Sequence, residues 1–278
     1  MIRILIDSTS DMSRRECREA GIEIVPLTVH IGGKNYIDGV DLSQSEFYTL
    51  LKQSDEFPKT SQPSPEQFAA HFERAQANGD ELICILLSSA LSGTCQSAYI
   101  AKAMVGYEGV HIIDSLSITA GIRVMADHAQ KLIAQGLTAG QIVAALENLK
   151  RRIRVTAALD TLEYLAKGGR LGKAAANIGA MFHLKPVIAI SPEGTVDIAD
   201  KQIGKVRAMQ SIIGALTAKP IDPDFPIYTV YSDMEANVAQ LEGRMENSGF
   251  FSAQRIHIGA TIGAHVGPGA YGVIWVEA

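Results

Sequence analysis

The feature that most constrains this chain is a regular alternation of short apolar runs with stretches of helical periodicity. Ile2–Asp7, Leu82–Leu87 and Val110–Asp114 are apolar runs of strand length, whereas Gly93–Met104 and Ile118–Gln135 have helical spacing. Strands that alternate with helices favour a parallel sheet, because parallel neighbours need a crossover connection. We therefore predict an α/β fold for this half of the chain.

A change of pattern in the second half indicates a second domain. Residues 154–182 have the pattern of a small-residue helix that is broken at Gly168–Gly169. The turn "SPEG" lies between two short apolar strands and predicts a hairpin. We place the boundary near residue 155, which gives an N-terminal α/β domain of residues 1–155 and a C-terminal α/β domain of residues 156–278.

Composition and charge exclude several function classes. The chain has 278 residues, of which 47% are hydrophobic and 20% charged, and a net charge of −5. This acidic balance argues against a nucleic-acid partner, and no apolar run reaches the ~18–20 residues that span a bilayer. Cys17, Cys84 and Cys95 lack C-x-x-C spacing, which predicts neither disulfides nor zinc and favours a cytoplasmic location. No histidine pair has metal-ligand spacing, so we expect no metal site.

Four polar turns follow predicted strands or lie in loops, where α/β sheets commonly bind ligands. In the second turn Ser64 is explained as a helix N-cap before Pro65, but Thr60 and Ser61 are not. His265 lies in a glycine-rich loop, where a histidine is seldom part of the core. Each turn also has a purely structural interpretation, as a helix cap or a Ser/Thr turn. The turns are "DSTSD" (7–11), "KTSQPSP" (59–65), "SSALSGTCQSA" (88–98) and "GATIGAHVGPGAYG" (259–272).

The serine-rich turn of residues 88–98 leaves three chemical interpretations open. Backbone N–H groups at a helix start, with hydroxyls beside them, suit a carboxylate or another anion. Ser92 and His265, oriented by Asp7 or Asp114, have the residue types of a hydrolase of acyl esters. The third interpretation is a nucleotide- or phosphosugar-binding enzyme. Both G-x-S-x-G and G-x-x-x-x-G-K-[ST] are absent from the sequence, so an anion cradle fits best.

The basic, glycine-rich segment "KGGRLGK" (167–173) also has two interpretations. Glycine and nearby cations are typical of a helix C-terminus. Alternatively, Arg170 is a planar, bidentate donor for a phosphate or an acidic partner. The residues themselves do not decide between the two.

Five motifs in order along the chain resemble those of the DegV family of fatty-acid-binding proteins. They are "DSTSD", "TSQPSP", "SSALSGTCQSA", "YLAKGGRLG" and "HVGPGAYG", and the resemblance covers essentially the whole sequence. It implies two α/β domains, the first with a parallel sheet and the second with a mixed sheet, with the ligand in the cleft between them. It also implies one bound long-chain fatty acid as the ligand and no further cofactor.

The same resemblance implies roles for individual residues. By this resemblance, the residues that bind the fatty acid carboxylate are Thr60, Ser61, Ser92, Gly93 and His265. A protein of this kind has no turnover of its own. It presents the carboxylate to a separate ATP-dependent kinase subunit, similar to dihydroxyacetone kinases, which forms an acyl phosphate.

Two further expectations concern the partner and the acyl tail. Arg170 matches the region that the family uses to meet the kinase subunit, and transient contact with a membrane surface is compatible with a lipid carrier. In the segment "NIGAMFHL", Ile178, Met181 and Phe182 recur at helical spacing and are candidates to line the tail, with core packing as the alternative. Cys95 stands where the family often has an aromatic residue, which leaves the preferred chain length open.

Overall fold

A computed structural model describes residues 1–171 and 184–278 of the chain. Its strands, numbered along the chain, are β1 (Ile2–Asp7), β2 (Ile22–Val25), β3 (Thr28–Ile31), β4 (Lys34–Ile37), β5 (Lys59–Ser61), β6 (Glu81–Leu86), β7 (Val110–Asp114), β8 (Ile153–Ala158), β9 (Leu184–Ile190), β10 (Val196–Ile203), β11 (Tyr228–Tyr231), β12 (Gln254–His257) and β13 (Tyr271–Val276).

Its helices are α1 (Arg14–Ala20), α2 (Gln44–Gln53), α3 (Pro65–Asn78), α4 (Thr94–Val105), α5 (Ala120–Ala134), α6 (Ala139–Leu149), α7 (Glu163–Lys167), α8 (Lys205–Thr217), α9 (Glu235–Glu246) and α10 (Ala260–Val266). A short 3₁₀ turn at Ser8–Ser10 follows β1. Within the described ranges, none of the helices combines the length and apolarity that crossing a membrane requires.

The first sheet is parallel, as the alternating pattern predicts. Its strand order is β2-β1-β6-β7, and all three pairings are parallel. The central strand β6 is buried along nearly its whole length, which is typical of a parallel strand covered on both faces. Because β1 and β6 are parallel, their carboxyl ends lie at the same edge of the sheet. The segments "DSTSD" and the serine-rich turn begin at this edge.

The second sheet is mixed and has the order β10-β9-β8-β13-β11-β12. β11 and β12 are parallel, whereas the other neighbouring pairs are antiparallel. The hairpin predicted around "SPEG" is present as β9 and β10, with longer strands than the sequence suggested. The fold class is thus confirmed: a parallel sheet in the N-terminal region and a mixed sheet in the C-terminal region.

A third, small antiparallel sheet of order β4-β3-β5 was not predicted. The apolar segment Ile22–Ile31 is divided at Pro26 into β2 and β3, which belong to different sheets. β5 is only three residues long and pairs with β3, bringing Thr60 opposite Val29. This pairing carries Thr60 to the site described below.

One hydrophobic cluster joins the two larger sheets. It includes Ile6 and Ile85 of the first sheet, and Val155 and Ile188 of the second. Helix α5 lies between them and contacts β1, β6, β8 and β13. The first sheet, with its polar turns, is therefore packed against the second sheet through this cluster and α5.

Two sequence expectations for the second half need correction. Residues 153–158 form strand β8 and not the start of a small-residue helix, because pairing with β9 and β13 overrides the helical preference of its alanines. Residues 260–266 form helix α10, where the glycine-rich pattern suggested a loop. The domain boundary near residue 155 stays a prediction, and residue 155 itself lies inside β8.

Candidate ligand site

A cavity with a mainly apolar wall lies between the parallel sheet, helix α10 and the β9–β10 hairpin. Its volume is about 40 Å³, which is small for a long acyl chain, so a long ligand requires the lining side chains to move apart. Four of the sequence-predicted residues lie on its wall: Thr60, Ser92, Arg170 and His265. The apolar lining comes from Leu27, Leu87, Leu91, Ile118, Leu165, Ile188, Val196, Ile262 and Val266.

Thr60 and His265 meet directly at this cavity, although 205 residues separate them in the sequence. The Oγ1 atom of Thr60 lies 2.9 Å from Nε2 of His265, a normal hydrogen-bond distance. Thr60 belongs to β5 and His265 to the last turn of α10. Two turns that were singled out separately in the sequence therefore form one site.

The His265 ring is enclosed and neutral. Burial, with a smaller contribution from the Arg170 cation, lowers the pKa of His265 to about 4. Its Nδ1 atom is buried and has no hydrogen-bond partner among the described residues. The ring lies against the backbone of Gly168, where an added Cβ would be 2.3 Å from Nδ1. The absence of a side chain at Gly168 therefore leaves room for the His265 ring, in addition to ending helix α7.

Buried carboxylates of the N-terminal region fix the start of α10. Asp11 accepts a hydrogen bond from the Gly259 N–H at 2.8 Å. Asp38 accepts one from the Thr261 hydroxyl at 2.6 Å and another from the Ser8 hydroxyl at 3.0 Å. Burial raises the pKa of both carboxyl groups. The motif "DSTSD" thus positions the helix that carries His265 and does not itself line the cavity.

Ser92 occupies the turn between β6 and α4, with Gly93 as the N-cap of the helix. Its Oγ atom is 2.9 Å from Oγ1 of Thr94 and accepts the Thr94 N–H at 3.3 Å. The other hydroxyls of this turn have structural partners: Ser88 donates to Gly194 O, and Ser89 binds Asp114. Of the hydroxyls in the motif, Ser92 is the one on the cavity wall.

Arg170 is half-buried at the same cavity. Its Nε donates to Leu91 O at 3.1 Å and its Nη1 to Gly168 O at 2.5 Å. The guanidinium therefore bridges the turn before Ser92 and the segment against His265. Its charge also contributes to the low pKa of His265.

The remaining predicted residues are Ser61 and the three candidate tail residues. Ser61 is exposed, is absent from the cavity wall and forms a 2.7 Å hydrogen bond with Nε2 of His30. Neighbouring residues of a strand point to opposite faces, so Thr60 and Ser61 cannot both face the cavity. The candidate tail residues Ile178, Met181 and Phe182 lie outside the described residues.

The arrangement does not resemble a hydrolase. His265 pairs with Thr60, and Ser92 pairs with Thr94, so the two residues share no hydrogen bond. Asp114 is bound by Ser89, and Asp7 accepts the Leu87 N–H at 2.6 Å. A catalytic triad needs a hydrogen-bonded nucleophile, base and orienting acid.

Sequence reasoning missed several residues that shape the site. Asp38 and Thr261 anchor α10, and Gln62 packs on Gly93. Asp38 lies outside the four polar turns, and Gln62 and Thr261 lie inside two of them without a signal of their own, because their contacts span many residues of sequence. Among residues 1–171 and 184–278, no group of three His, Cys, Asp or Glu side chains is placed to hold a metal ion.

Comparison with known proteins identifies the relatives of this chain. The DegV family of uncharacterised proteins matches it over residues 1–278. A DegV domain-containing protein of Caldanaerobacter subterraneus is 34% identical over 281 residues, covering 99% of both chains.

Solved structures agree with this assignment. A structure described as showing fatty acid binding by a DegV family protein of Thermus thermophilus is 33% identical, with a TM-score of 0.90, and the match covers 100% of this chain and 99% of that one. A stearic acid-binding protein of Eubacterium ventriosum is 26% identical, with a TM-score of 0.88 over 100% of this chain and 98% of that one. The matched sequence and fold both extend over the whole chain, which therefore belongs to the DegV family.

Proposed function

We propose that this protein binds one long-chain fatty acid, with the carboxylate held by Thr60, Ser92 and His265. The observation that carries the proposal is the cavity, whose wall is mainly apolar and whose polar side chains, besides Thr261 bonded to Asp38, are Thr60, Ser92, Arg170 and His265. A fatty acid has the same division into a long apolar tail and one polar end. The fatty acids named for the Thermus and Eubacterium relatives support this choice of ligand.

The headgroup chemistry follows from the neutral state of His265. With Nε2 protonated, His265 donates to the Thr60 oxygen and leaves the Thr60 hydroxyl proton for the carboxylate. Ser92 supplies a second hydroxyl, beside the N–H groups that begin α4. Hydrogen bonds to a charged acceptor are roughly twice as strong as those between neutral groups.

The tail supplies most of the binding free energy. Each buried CH₂ contributes about 0.8 kcal/mol, so a long chain gains on the order of 10 kcal/mol before the costs of association. A ligand held this firmly is expected to remain bound during purification.

We further propose that the protein is a carrier and that a separate ATP-dependent kinase phosphorylates the bound carboxylate. The hydroxyl and imidazole donors leave the carboxylate oxygens less tightly paired than a salt bridge would. Arg170, at the cavity beside the headgroup residues, is then the group that serves docking or transfer with the kinase subunit. The cytoplasm is the location where ATP and the kinase are present, and loading involves transient contact with a membrane surface.

Native mass spectrometry of the purified protein, followed by solvent extraction, tests the binding function. We expect a mass excess that extracts as one long-chain fatty acid per chain. A ligand-free mass that stays unchanged with added oleate and palmitate would refute the proposal. The kinase step is tested separately by trapping acyl phosphate with hydroxylamine, which should require the kinase, ATP and this protein together.

A further inference from the structure

The three headgroup residues come from three separate parts of the fold. Thr60 lies on β5 of the small sheet, Ser92 follows β6 of the parallel sheet, and His265 lies on α10 beyond the mixed sheet. Thr60 and His265 hold each other directly, but Ser92 is bonded only within its own turn among the described residues. Arg170 links the turn before Ser92 to the segment against His265, but it does not reach the strand that carries Thr60, so a second contact is needed on that side.

Gln62 makes this connection. It stands two residues after Thr60, and its Nε2 donates to Ser97 Oγ in the first turns of α4 at 2.8 Å. Among the described hydrogen bonds, this is the one that links residues 59–64 to residues 88–97. The contact crosses from the small sheet to the helix that begins beside Ser92.

The Gln62 amide also lies directly on Gly93. A Cβ added to Gly93 would be 2.1 Å from Oε1 of Gln62 and 2.8 Å from its Nε2. The φ of Gly93 is −77°, which any amino acid adopts, so the backbone does not require glycine at this position. A side chain at this position would instead displace the amide, which is the flexible end of Gln62, from its place on the start of α4.

We propose that Gln62 is a positioning residue that sets the spacing between Thr60 and Ser92 by clamping Gly93 and Ser97. This inference rests on the proposed fatty acid function and adds a residue that does not itself touch the ligand. Ser92 and the first N–H groups of α4 move with Gly93, so a displaced amide changes the geometry at the carboxylate. The effect should be on headgroup binding and not on the tail.

The test compares delipidated variants in palmitate affinity, measured by displacement of a fluorescent fatty acid. Gln62→Ala and Ser97→Ala should each weaken binding about fivefold, the effect of one lost hydrogen bond. Gly93→Ala should weaken it by a similar factor, because its methyl group displaces the same amide from Ser97. In the double variant Gln62→Ala/Gly93→Ala, the added methyl group no longer meets the glutamine amide, because that amide has been removed. The double variant should therefore bind palmitate about as well as Gln62→Ala alone.

Matched controls separate this effect from general damage. Gln96→Ala removes an exposed glutamine from the same helix, and Gly214→Ala adds a methyl group to a helical glycine with nothing within 4 Å. Both should bind palmitate as the unmodified protein does. The carboxyl ¹³C chemical shift of bound [1-¹³C]palmitate should move in Gln62→Ala and stay constant in both controls.

Three results would overturn the role of Gln62. These are an unchanged affinity in Gly93→Ala, losses that multiply in the double variant, and a carboxyl resonance that does not move in Gln62→Ala. Gln62 is exposed, so its alanine variant is expected to fold and to give a measurement even if Gly93→Ala does not. If the unmodified protein bound no palmitate, the fatty acid assignment itself would be wrong.

Discussion

Ser92 and His265 show how single side chains here are prepared for an anion. Burial and the neighbouring Arg170 charge lower the pKa of His265 and keep the ring neutral. Its Nε2–H can then donate to the Thr60 oxygen, and the Thr60 hydroxyl can donate to a carboxylate. Ser92 stands at the start of α4, where backbone N–H groups have no helical acceptor. When a carboxylate enters, the hydroxyls of Ser92 and Thr60 gain an acceptor, and His265 keeps its hydrogen bond to Thr60.

We expect Ser92→Ala to weaken fatty acid binding about tenfold or more while the fold remains intact. The variant loses a hydrogen bond to a charged acceptor, which contributes ~1.5–3 kcal/mol. Palmitate displacement titrations on delipidated protein measure the loss. Ser89→Ala, which removes a hydroxyl of the same turn that binds Asp114, is the control and should bind normally. Equal affinities in the two variants would argue against Ser92 as a headgroup residue.

The low pKa of His265 predicts how stability depends on pH. The ordinary pKa is 6.5 and the folded value about 4, so the unfolded chain takes up the proton first as the pH falls. The stabilisation is fully present above about pH 6.5 and is lost towards pH 4, on the order of 1 kcal/mol per pH unit.

Urea unfolding of delipidated protein between pH 7 and pH 4.5 measures this loss. His265→Gln removes the titrating group, so the free energy of unfolding should fall less steeply with pH than in the unmodified protein. His128 and His257, whose pKa values are also lowered, remain in both proteins and cancel in the comparison. Identical slopes would show that His265 is not buried in its neutral form.

Local sequence patterns singled out Thr60, Ser92 and His265, whose role at a headgroup stays a prediction, but not the residues that support them. Thr60, Ser92 and His265 stand in polar turns that capping does not explain, and the structure brings them to one cavity. Ser61 was expected beside Thr60, but strand alternation turns it to His30. Asp38 had no local signal, because its role depends on a contact 223 residues away.

At the scale of elements, the β9–β10 hairpin closes one side of the cavity. Its strands contribute Ile188 and Val196 to the wall, and its turn touches the serine-rich turn through the Ser88 to Gly194 hydrogen bond. Gly194 has φ +80°, and a Cβ there would be 2.1 Å from Ser88 Oγ. Glycine at this turn allows the hairpin to approach the first sheet.

We expect Gly194→Ala to destabilise the protein and weaken fatty acid binding. The variant combines backbone strain of order 1–3 kcal/mol with a direct clash against Ser88. Gly136→Ala is the matched control, because Gly136 has φ +81° but nothing within 4 Å. Thermal unfolding should place Gly194→Ala below Gly136→Ala, and palmitate affinity should fall only in the former. Similar behaviour of the two variants would mean that the hairpin contact does not support the site.

The apolar runs of the first sheet predicted their strands well, but two short elements at the site had no such signal. β1 and β7 have the bounds that their apolar runs suggested. β5, with three residues, and α10, with seven, are too short and too rich in polar residues or glycine for periodicity to reveal. These two elements exist because tertiary contacts hold them, and they carry Thr60 and His265.

At the scale of the whole molecule, the site exists only when three sheets are assembled. The headgroup residues lie on segments next to different sheets, and the cavity wall combines side chains from both halves of the chain. A ligand at this position contacts the folded state alone. Binding is therefore expected to stabilise the entire fold.

Palmitate should raise the melting temperature of the delipidated protein by several degrees. A ligand at 100 times its dissociation constant adds about 2.7 kcal/mol, and each kcal/mol shifts a protein of this size by ~2–4 °C. Methyl palmitate keeps the tail but has no anionic headgroup, so its shift should be clearly smaller. Calorimetry makes the comparison, and equal shifts would show that the carboxylate contributes little.

A crystal structure of the protein saturated with stearate would show directly whether the fatty acid occupies this cavity. We expect the carboxylate within hydrogen-bond distance of Thr60 and Ser92, with His265 still bonded to Thr60. The acyl chain should run into the widened cavity beside Leu27, Ile188 and Val196. A headgroup bound elsewhere, or an acyl chain outside this cavity, would refute fatty acid binding at this site.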